Sequence, residues 1–336
     1  MRLSNFQYAL PEELIAQKPL AERDQSRLLV VSKRRHDIEH RKFFEIVDYL
    51  RDDDVMVFNN TRVVATRLCG RKQTGGKIEV LLIKRLSPGV WKGMVKPGRR
   101  VAVGAELVFD KGLAAEVVDR TEEGGRILRF RAEGDPEELI ASVGQVPLPP
   151  YVHRRLHDPE RYQTVYAAAD GSAAAPTAGL HFTPALLDRI RRRGIRTVFI
   201  ALHVGIATFR PVRTENIEDH EMHAESVEIS AESADVINSA RGRIVCVGTT
   251  TARALESAAA AARTIAPTSG ETRLFIRPPY DFKIVECLIT NFHMPGSTLL
   301  MLVSAFGGIE LVRRVYEEAV RKKYRFLSFG DAMFLY

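Results

Sequence analysis

The stretch DVMVFNNTR, Asp54 to Arg62, decides how the chain is divided. Val55 to Phe58 form a short apolar run of buried-strand type, and the run stops in Asn59, Asn60, Thr61 and Arg62. Upstream, RLLVVS (27–32) is a strand pattern. FFEIVDYLRDDD then sets Phe43, Phe44, Ile46, Val47 and Leu50 on one helical face. LPEELIAQKP, between Pro11 and Pro19, reads as a short helix. Strand, helix and strand in that order predict a layered α/β domain, whose polar strand ends are where ligands sit.

Downstream of Arg62 the pattern changes. RVVATRLCGRK, KIEVLLIKRL, VWKGMVK, RVAVGAELVF, LAAEVVDR and GRILRFRAE are six short strand runs, with Gly and Pro-Gly turns between them and no intervening helix. They predict a small closed antiparallel β-barrel. One helix, PEELIASVG, follows, and PLPPY (147–151) is a stiff exit. The expected architecture is α/β: a discontinuous core over 1–62 and 151–336 that carries the chemistry, with a barrel domain inserted over 63–150.

Beyond the barrel, strand–turn–helix units recur. RTVFIALHVG, VEIS, RIVCVG, LFIRPPYDF and ECLITNF read as strands. SAESADVINSARG, ARALESAAAAA, LLMLVSAF and IELVRRVYEEAVRKKY read as helices. APTAGLHFT (175–183) stands out among the turns. Pro176 restricts the backbone, Gly179 permits close approach, and Thr183-Pro184 is an N-cap followed by proline at the first helical position. Thr177 and His181 thus flank a tight turn near a helix start, which is either a backbone binding site or an ordinary loop with a buried His.

Hydrophobic content of 45% and charged content of 27% in 336 residues belong to a globular protein with a substantial core. The longest apolar run, STLLMLVSAFGG, is too short to span a membrane, and the N-terminus has no signal-peptide core, so a cytoplasmic protein without membrane contact is expected. Cys69, Cys246 and Cys287 are odd in number and far apart, which argues against disulfides and Cys-based zinc. A net charge of +7 permits a nucleic-acid partner without establishing one.

Polar groups close several strand runs: Asn59 to Arg62, His203, Gly248-Thr249-Thr250, and Thr290 to His293. Their convergence on one cleft with APTAGLHFT is expected. VGTTTAR leads a strand through glycine into Thr249, Thr250 and Arg253, a pattern for binding carboxylate or phosphate or for a plain Thr cap. In DHEMHAE, His220 and His223 share a face if the segment is helical, beside Glu225. The order differs from H-E-x-x-H, so acid–base or hydrogen-bonding duty is favoured over metal. In HMPGST, Ser297 either caps the next helix or helps face an anion there. No P-loop, dinucleotide fingerprint or nucleophile elbow is present.

Taken together, LPEELIAQKP, VFNNTRV, GQVPLPPY, APTAGLHFT, LHVG with TFRPV, DHEMHAE, VGTTTAR, NFHMPGSTLLMLVSAF and YRFLSFGDAMF resemble one family in order along the whole chain. It is the S-adenosylmethionine:tRNA ribosyltransferase-isomerase family of queuosine biosynthesis. FIRPPYDFK departs from its usual Tyr-Pro-Gly-Tyr-like turn at Arg277 and Pro279. The resemblance implies S-adenosyl-L-methionine as co-substrate, no metal, and a tRNA partner bearing 7-aminomethyl-7-deazaguanine at its wobble position. The ribosyl portion moves to the aminomethyl group and rearranges to epoxyqueuosine, releasing adenine and methionine. A monomer is expected.

On that basis His181, His203, His220 and His223 are the pool for proton transfer, with His181 first. Thr249, Thr250 and Arg253 are assigned to the methionine carboxylate. Asn60, Arg62, Asn291 and His293 are assigned to ribose or deazaguanine, and Glu225 to the base edge or a His. Thr177 and Ser297 complete the expected binding set. The competing classes are an S-adenosylmethionine-dependent RNA methyltransferase and a non-catalytic RNA-binding protein.

Overall fold

A computed structural model of the protein describes residues 1–122, 124–154, 156–205 and 212–336. Most of the TFRPV run lies outside the described residues. The chain divides into two compact units, Met1–Arg62 with Pro149–Tyr336, and Val63–Leu148.

The larger unit is built on a nine-stranded sheet. Its strands are β1 (Arg27–Val31), β2 (Ile38–Lys42), β3 (Val55–Asn59), β4 (Arg196–His203), β5 (Glu225–Ile229), β6 (Ile244–Val247), β7 (Thr268–Thr272), β8 (Cys287–Asn291) and β9 (Ala332–Leu335). Their order is β7-β5-β4-β3-β6-β8-β9-β1-β2. The central four, β4, β3, β6 and β8, are mutually parallel. Their carboxyl ends, at His203, Asn59, Val247 and Asn291, therefore lie along one edge. The chain order reverses across β3, which has β4 on one side and β6 on the other, so a crevice opens at that edge.

The apolar runs have a simple cause. β3, β6 and β8 are buried along their whole length. Val55, Val57, Cys246 and Leu288 face one core, with helices α2 (Ala231–Asn238), α3 (Thr249–Ser257), α4 (Thr298–Gly307) and α5 (Ile309–Arg321) contributing to it. Met56, Phe58, Val245 and Ile289 face the other, with α1 (Pro184–Arg192) and the Phe43–Tyr49 turns. Strands covered on both faces lose the apolar–polar alternation of a half-buried strand.

The smaller unit holds the closed barrel. Its six antiparallel strands are Arg67–Lys72, Lys77–Ser87, Val90–Lys96, Glu106–Phe109, Ala114–Arg120 and Arg126–Arg131. Leu68, Val80, Leu107, Val117 and Leu128 fill it, together with Ile140 from the helix Pro136–Val143, which Asp135 caps. The α/β class and the small barrel expected from sequence are what the chain forms.

Several local expectations change. FFEIVDY forms 3₁₀ turns, and LPEELIAQKP forms only one 3₁₀ turn, Glu12–Leu14. Two prolines bracket a segment too short to propagate a helix. LFIRPPYDF forms no strand, because Pro278 and Pro279 have no N–H to donate. The Glu256 carboxylate accepts from the N–H groups of Lys283, Ile284 and Val285 that follow. The polar TSGET, passed over in the sequence, makes edge strand β7. Helix α3 stops at Ser257, and Ala259–Ala261 pairs with Thr264–Ile265 despite the helix propensity of alanine. No helix among the described residues is long and apolar enough to cross a membrane.

Asp54 anchors the start of the central strands. It is fully buried and accepts from the Arg51 N–H, the Arg243 N–H and the Arg243 guanidinium, the last at 2.7 Å. Truncating it strands a half-buried guanidinium. Asp54→Ala is expected to lower stability by about 3–5 kcal/mol, read as a shift in the urea midpoint, with Asp54→Asn losing less.

Candidate active site

A cavity of about 510 Å³ opens at the carboxyl edge of the parallel strands, within the roughly 300–1,000 Å³ usual for small-molecule sites. Three segments wall it: Ala174 to Ala178, Gly248 to Thr250, and Thr290 to Ser297. APTAGLHFT is thus split in function. Its first half lines the cavity, while Phe182 is buried in the core beneath α1.

At the middle wall, Gly248 has φ +97°, a left-handed conformation that favours glycine, and it stands as N-cap of α3. The plain Thr cap, one of the two readings of VGTTTAR, is not formed. Thr249 to Thr251 lie inside the first turn, and no side chain caps the helix. The first-turn N–H groups lack intrahelical acceptors and carry the positive end of the helix dipole. Thr251 turns its hydroxyl back to the Val247 carbonyl. The Thr250 Oγ1 is buried and has no partner among the described residues. Ser297 is a cap: it accepts from Leu300 N–H at 3.2 Å and donates to the Met294 carbonyl at 2.8 Å. Its hydroxyl is therefore largely committed.

Thr249, Thr250 and Leu299 also border a side chamber of about 50 Å³, lined further by His220, His223, Glu225 and Arg253. The two His follow a 3₁₀ turn, Ile217–Asp219, and precede β5, so the shared helical face does not exist. Arg253 does not offer an open fork either. Its Nε donates to the Leu274 carbonyl, one Nη to the Glu225 carboxylate, and the other Nη to the carbonyls of His223 and Thr272. Four of its five N–H groups are spent inside the protein. Burial pushes the Glu225 carboxyl up, against the opposing pull of Arg253. Burial and the neighbouring His223 push His220 down.

The first-ranked histidine sits beneath the cavity, not in its wall. His181 stacks on Phe43 with centroids 4.8 Å apart. Its Nδ1 lies 2.7 Å from Ser26 Oγ and its Nε2 lies 3.1 Å from Asn291 Nδ2. Burial, with Arg325 and Arg23 nearby, pushes its pKa down to about 3. His293, which does line the cavity, is pushed down to about 3 by burial and bonds Thr290 Oγ1 through Nε2 at 2.8 Å. Neither is charged near neutrality, which removes the basis for ranking His181 first.

Asn60, Arg62 and His203 line neither space. Arg62 pairs with Glu160. The Asn60 Oδ1 and His203 Nδ1 are buried without partners among the described residues, and His203 lies against Gly171. Of the four strand ends expected to converge, those at Gly248–Thr250 and Thr290–His293 do so. Asn59 uses its amide to tie β3 to Leu202 of β4. Tyr151, His153 and Ser328 line the cavity and were missed. PLPPY reads in the sequence only as a stiff exit, and burial pushes Tyr151 up to about 12 beside Ser328, 2.7 Å away. Among the described residues no group of three or more His, Cys, Asp or Glu is arranged to hold a metal.

Residues 3–335 match the family model described as queuosine biosynthesis protein. The chain belongs to that family. It is 53% identical to the S-adenosylmethionine:tRNA ribosyltransferase-isomerase of Thermoanaerobacter sp. (strain X514), with full coverage of both chains. It is 54% identical, again over both full lengths, to the protein of that name from Symbiobacterium thermophilum. The crystal structure of an S-adenosylmethionine tRNA ribosyltransferase from Thermotoga maritima matches with TM-score 0.56 and 39% identity, over 99% of this chain and 100% of that one.

The two buried imidazoles make stability depend on pH. Their folded pKa values of about 3 lie below the ordinary 6.5, so the unfolded chain takes up protons first as pH falls. The stabilisation is complete above about pH 6.5 and is lost progressively towards pH 3, at about 1.4 kcal/mol per pH unit for each His. Urea midpoints measured at pH 7 and pH 5 are expected to drop for the wild type. His293→Gln is expected to show a shallower drop.

Proposed function

We propose that the protein transfers and isomerises the ribosyl portion of S-adenosylmethionine onto 7-aminomethyl-7-deazaguanine at the wobble position of a tRNA. The products are epoxyqueuosine-tRNA, adenine and methionine. Family membership over the whole chain supports the reaction class. The observation that carries the local reading is the nucleoside-sized cavity that meets the uncapped α3 start at Gly248–Thr250.

That helix start is suited to the methionine carboxylate. It offers first-turn N–H groups, a positive dipole end and the unpartnered Thr250 hydroxyl. Arg253 supports the site by holding Glu225 and the 272–274 backbone in place, and it is not assigned as the main grip on the carboxylate. Proton transfer falls to histidines beside the two spaces: His220 and His223 at the side chamber, and His153 at the cavity. The base-removable proton is on the carbon next to the sulfonium, and adenine departure needs a donor, so one group of each kind must reach the ribose. The protein works as a cytoplasmic monomer. Surface Arg and Lys grip tRNA phosphates, and the wobble nucleotide is splayed out to reach the cavity.

Incubation with S-adenosylmethionine and tRNA carrying the modified base is expected to release adenine and methionine in equal amounts, strictly dependent on that tRNA. S-adenosylhomocysteine as product would instead mark methyl transfer, and no consumption of the sulfonium would mark a binding protein. Thr250→Val, which keeps the shape and removes the hydroxyl, is expected to raise the S-adenosylmethionine KM about tenfold. Affinity for tRNA is expected to fall linearly on a log–log plot against salt.

A further inference from the structure

The Asn291 side chain ends β8 in the cavity wall and is 2% exposed. Its Nδ2 lies 3.2 Å from the Leu327 carbonyl and 3.5 Å from the Asp331 carbonyl. Carbonyl oxygens only accept, so the amide nitrogen must face them and the amide cannot be turned over. The same Nδ2 lies 3.1 Å from His181 Nε2; its two hydrogens serve the two nearer acceptors, Nε2 and the Leu327 carbonyl, and an amide nitrogen cannot itself accept, so Nε2 does. The imidazole proton is then on Nδ1, where it is donated to Ser26 Oγ at 2.7 Å. One oxygen is left over: Asn291 Oδ1 is buried and has no partner among the described residues. A buried acceptor without a donor costs about 1–3 kcal/mol, so an unpartnered oxygen on a residue that lines the cavity calls for a donor from outside the protein.

We infer that Asn291 Oδ1 is a fixed acceptor for an N–H or O–H of the bound nucleoside, and that His181 is a positioning residue which holds the amide in that orientation as a neutral imidazole. The inference rests on the reading above for the identity of the nucleoside and on geometry alone for the state of the imidazole. Its surroundings agree with it. Phe43 covers one ring face, burial resists the charged form, and Arg23 and Arg325 add repulsion to any second proton. A charged imidazole would donate from both nitrogens, leaving Nε2 facing an amide nitrogen with nothing to accept, and the amide would have to break from Leu327 and Asp331 to turn.

Two experiments separate the claims. In wild-type protein labelled with ¹⁵N-histidine, His181 is expected to show the Nδ1–H tautomer and no titration between about pH 5 and pH 8. An Nε2–H tautomer, or titration in that window, overturns the proposal, and this result needs no substrate. In steady-state assays of adenine release, His181→Gln supplies an amide oxygen where Nε2 stood, while His181→Phe supplies none. The Gln variant is expected to keep kcat within about tenfold with a raised KM, and the Phe variant to raise KM further. Losses of about 10²–10⁴ in kcat in both variants at unchanged KM would identify a proton-transfer group and overturn it. Asn291→Ala is expected to weaken S-adenosylmethionine binding about tenfold in calorimetry, and unchanged binding overturns the acceptor. If wild-type protein neither binds S-adenosylmethionine nor releases adenine, the functional reading fails while the tautomer measurement stands.

Discussion

Four parallel strands whose carboxyl ends share one edge of the sheet are the constraint on which the rest of the structure depends. Within β4, β3, β6 and β8 the backbone groups satisfy one another, and both faces are sealed by apolar cores. Past the last paired residue that satisfaction stops. The chain must turn, and it does so at Gly248 and at Asn291-Phe292-His293, while the segment from Ala174 towards α1 closes the space beside them. The cavity is the space these turns leave. Its walls hold side chains whose partners are only partly supplied by the protein, with Thr250 Oγ1 and Asn291 Oδ1 as the clearest cases.

Burial sets the chemistry of the groups nearby. Imidazole is useful because it changes charge near neutral pH, yet a fully buried imidazole loses that property. His181 and His293 are both held neutral and both spend a ring nitrogen on an internal hydrogen bond. Arg253 follows the same logic. Buried as it is, its charge is kept by spending its donors on Glu225 and three carbonyls, which turns an apparent anion clamp into a brace.

The sequence showed the architecture more readily than the site. Runs such as VMVF and IVCV are legible because burial on both faces leaves no polar position, and the six barrel strands are legible because turns separate them. The helix start at Thr183-Pro184 is local chemistry, and Thr183 Oγ1 indeed accepts from Leu186 N–H. Direction is what a string of letters lacks. Nothing in LHF tells that His181 points beneath the cavity at Ser26 and Asn291, and nothing in TTTAR tells that the guanidinium turns inward. Tyr151 and His153 give no such signal because a proline-rich spacer reads for stiffness, while these two reach the cavity from its end and from just past it.

The placement of β9 governs the order in which the molecule can assemble. It lies between β8 and β1, so the early β1–β2 hairpin joins the remaining six strands through Ala332–Leu335. Leu28 meets Ala332 only after almost the whole chain is made. The barrel strands all lie between Arg67 and Arg131, so every strand the barrel needs is made long before that. The barrel can thus close while the sheet of the larger unit still lacks a strand. Loop-closure entropy falls on the late insertion of one strand, which makes chaperone attendance most useful for the larger unit.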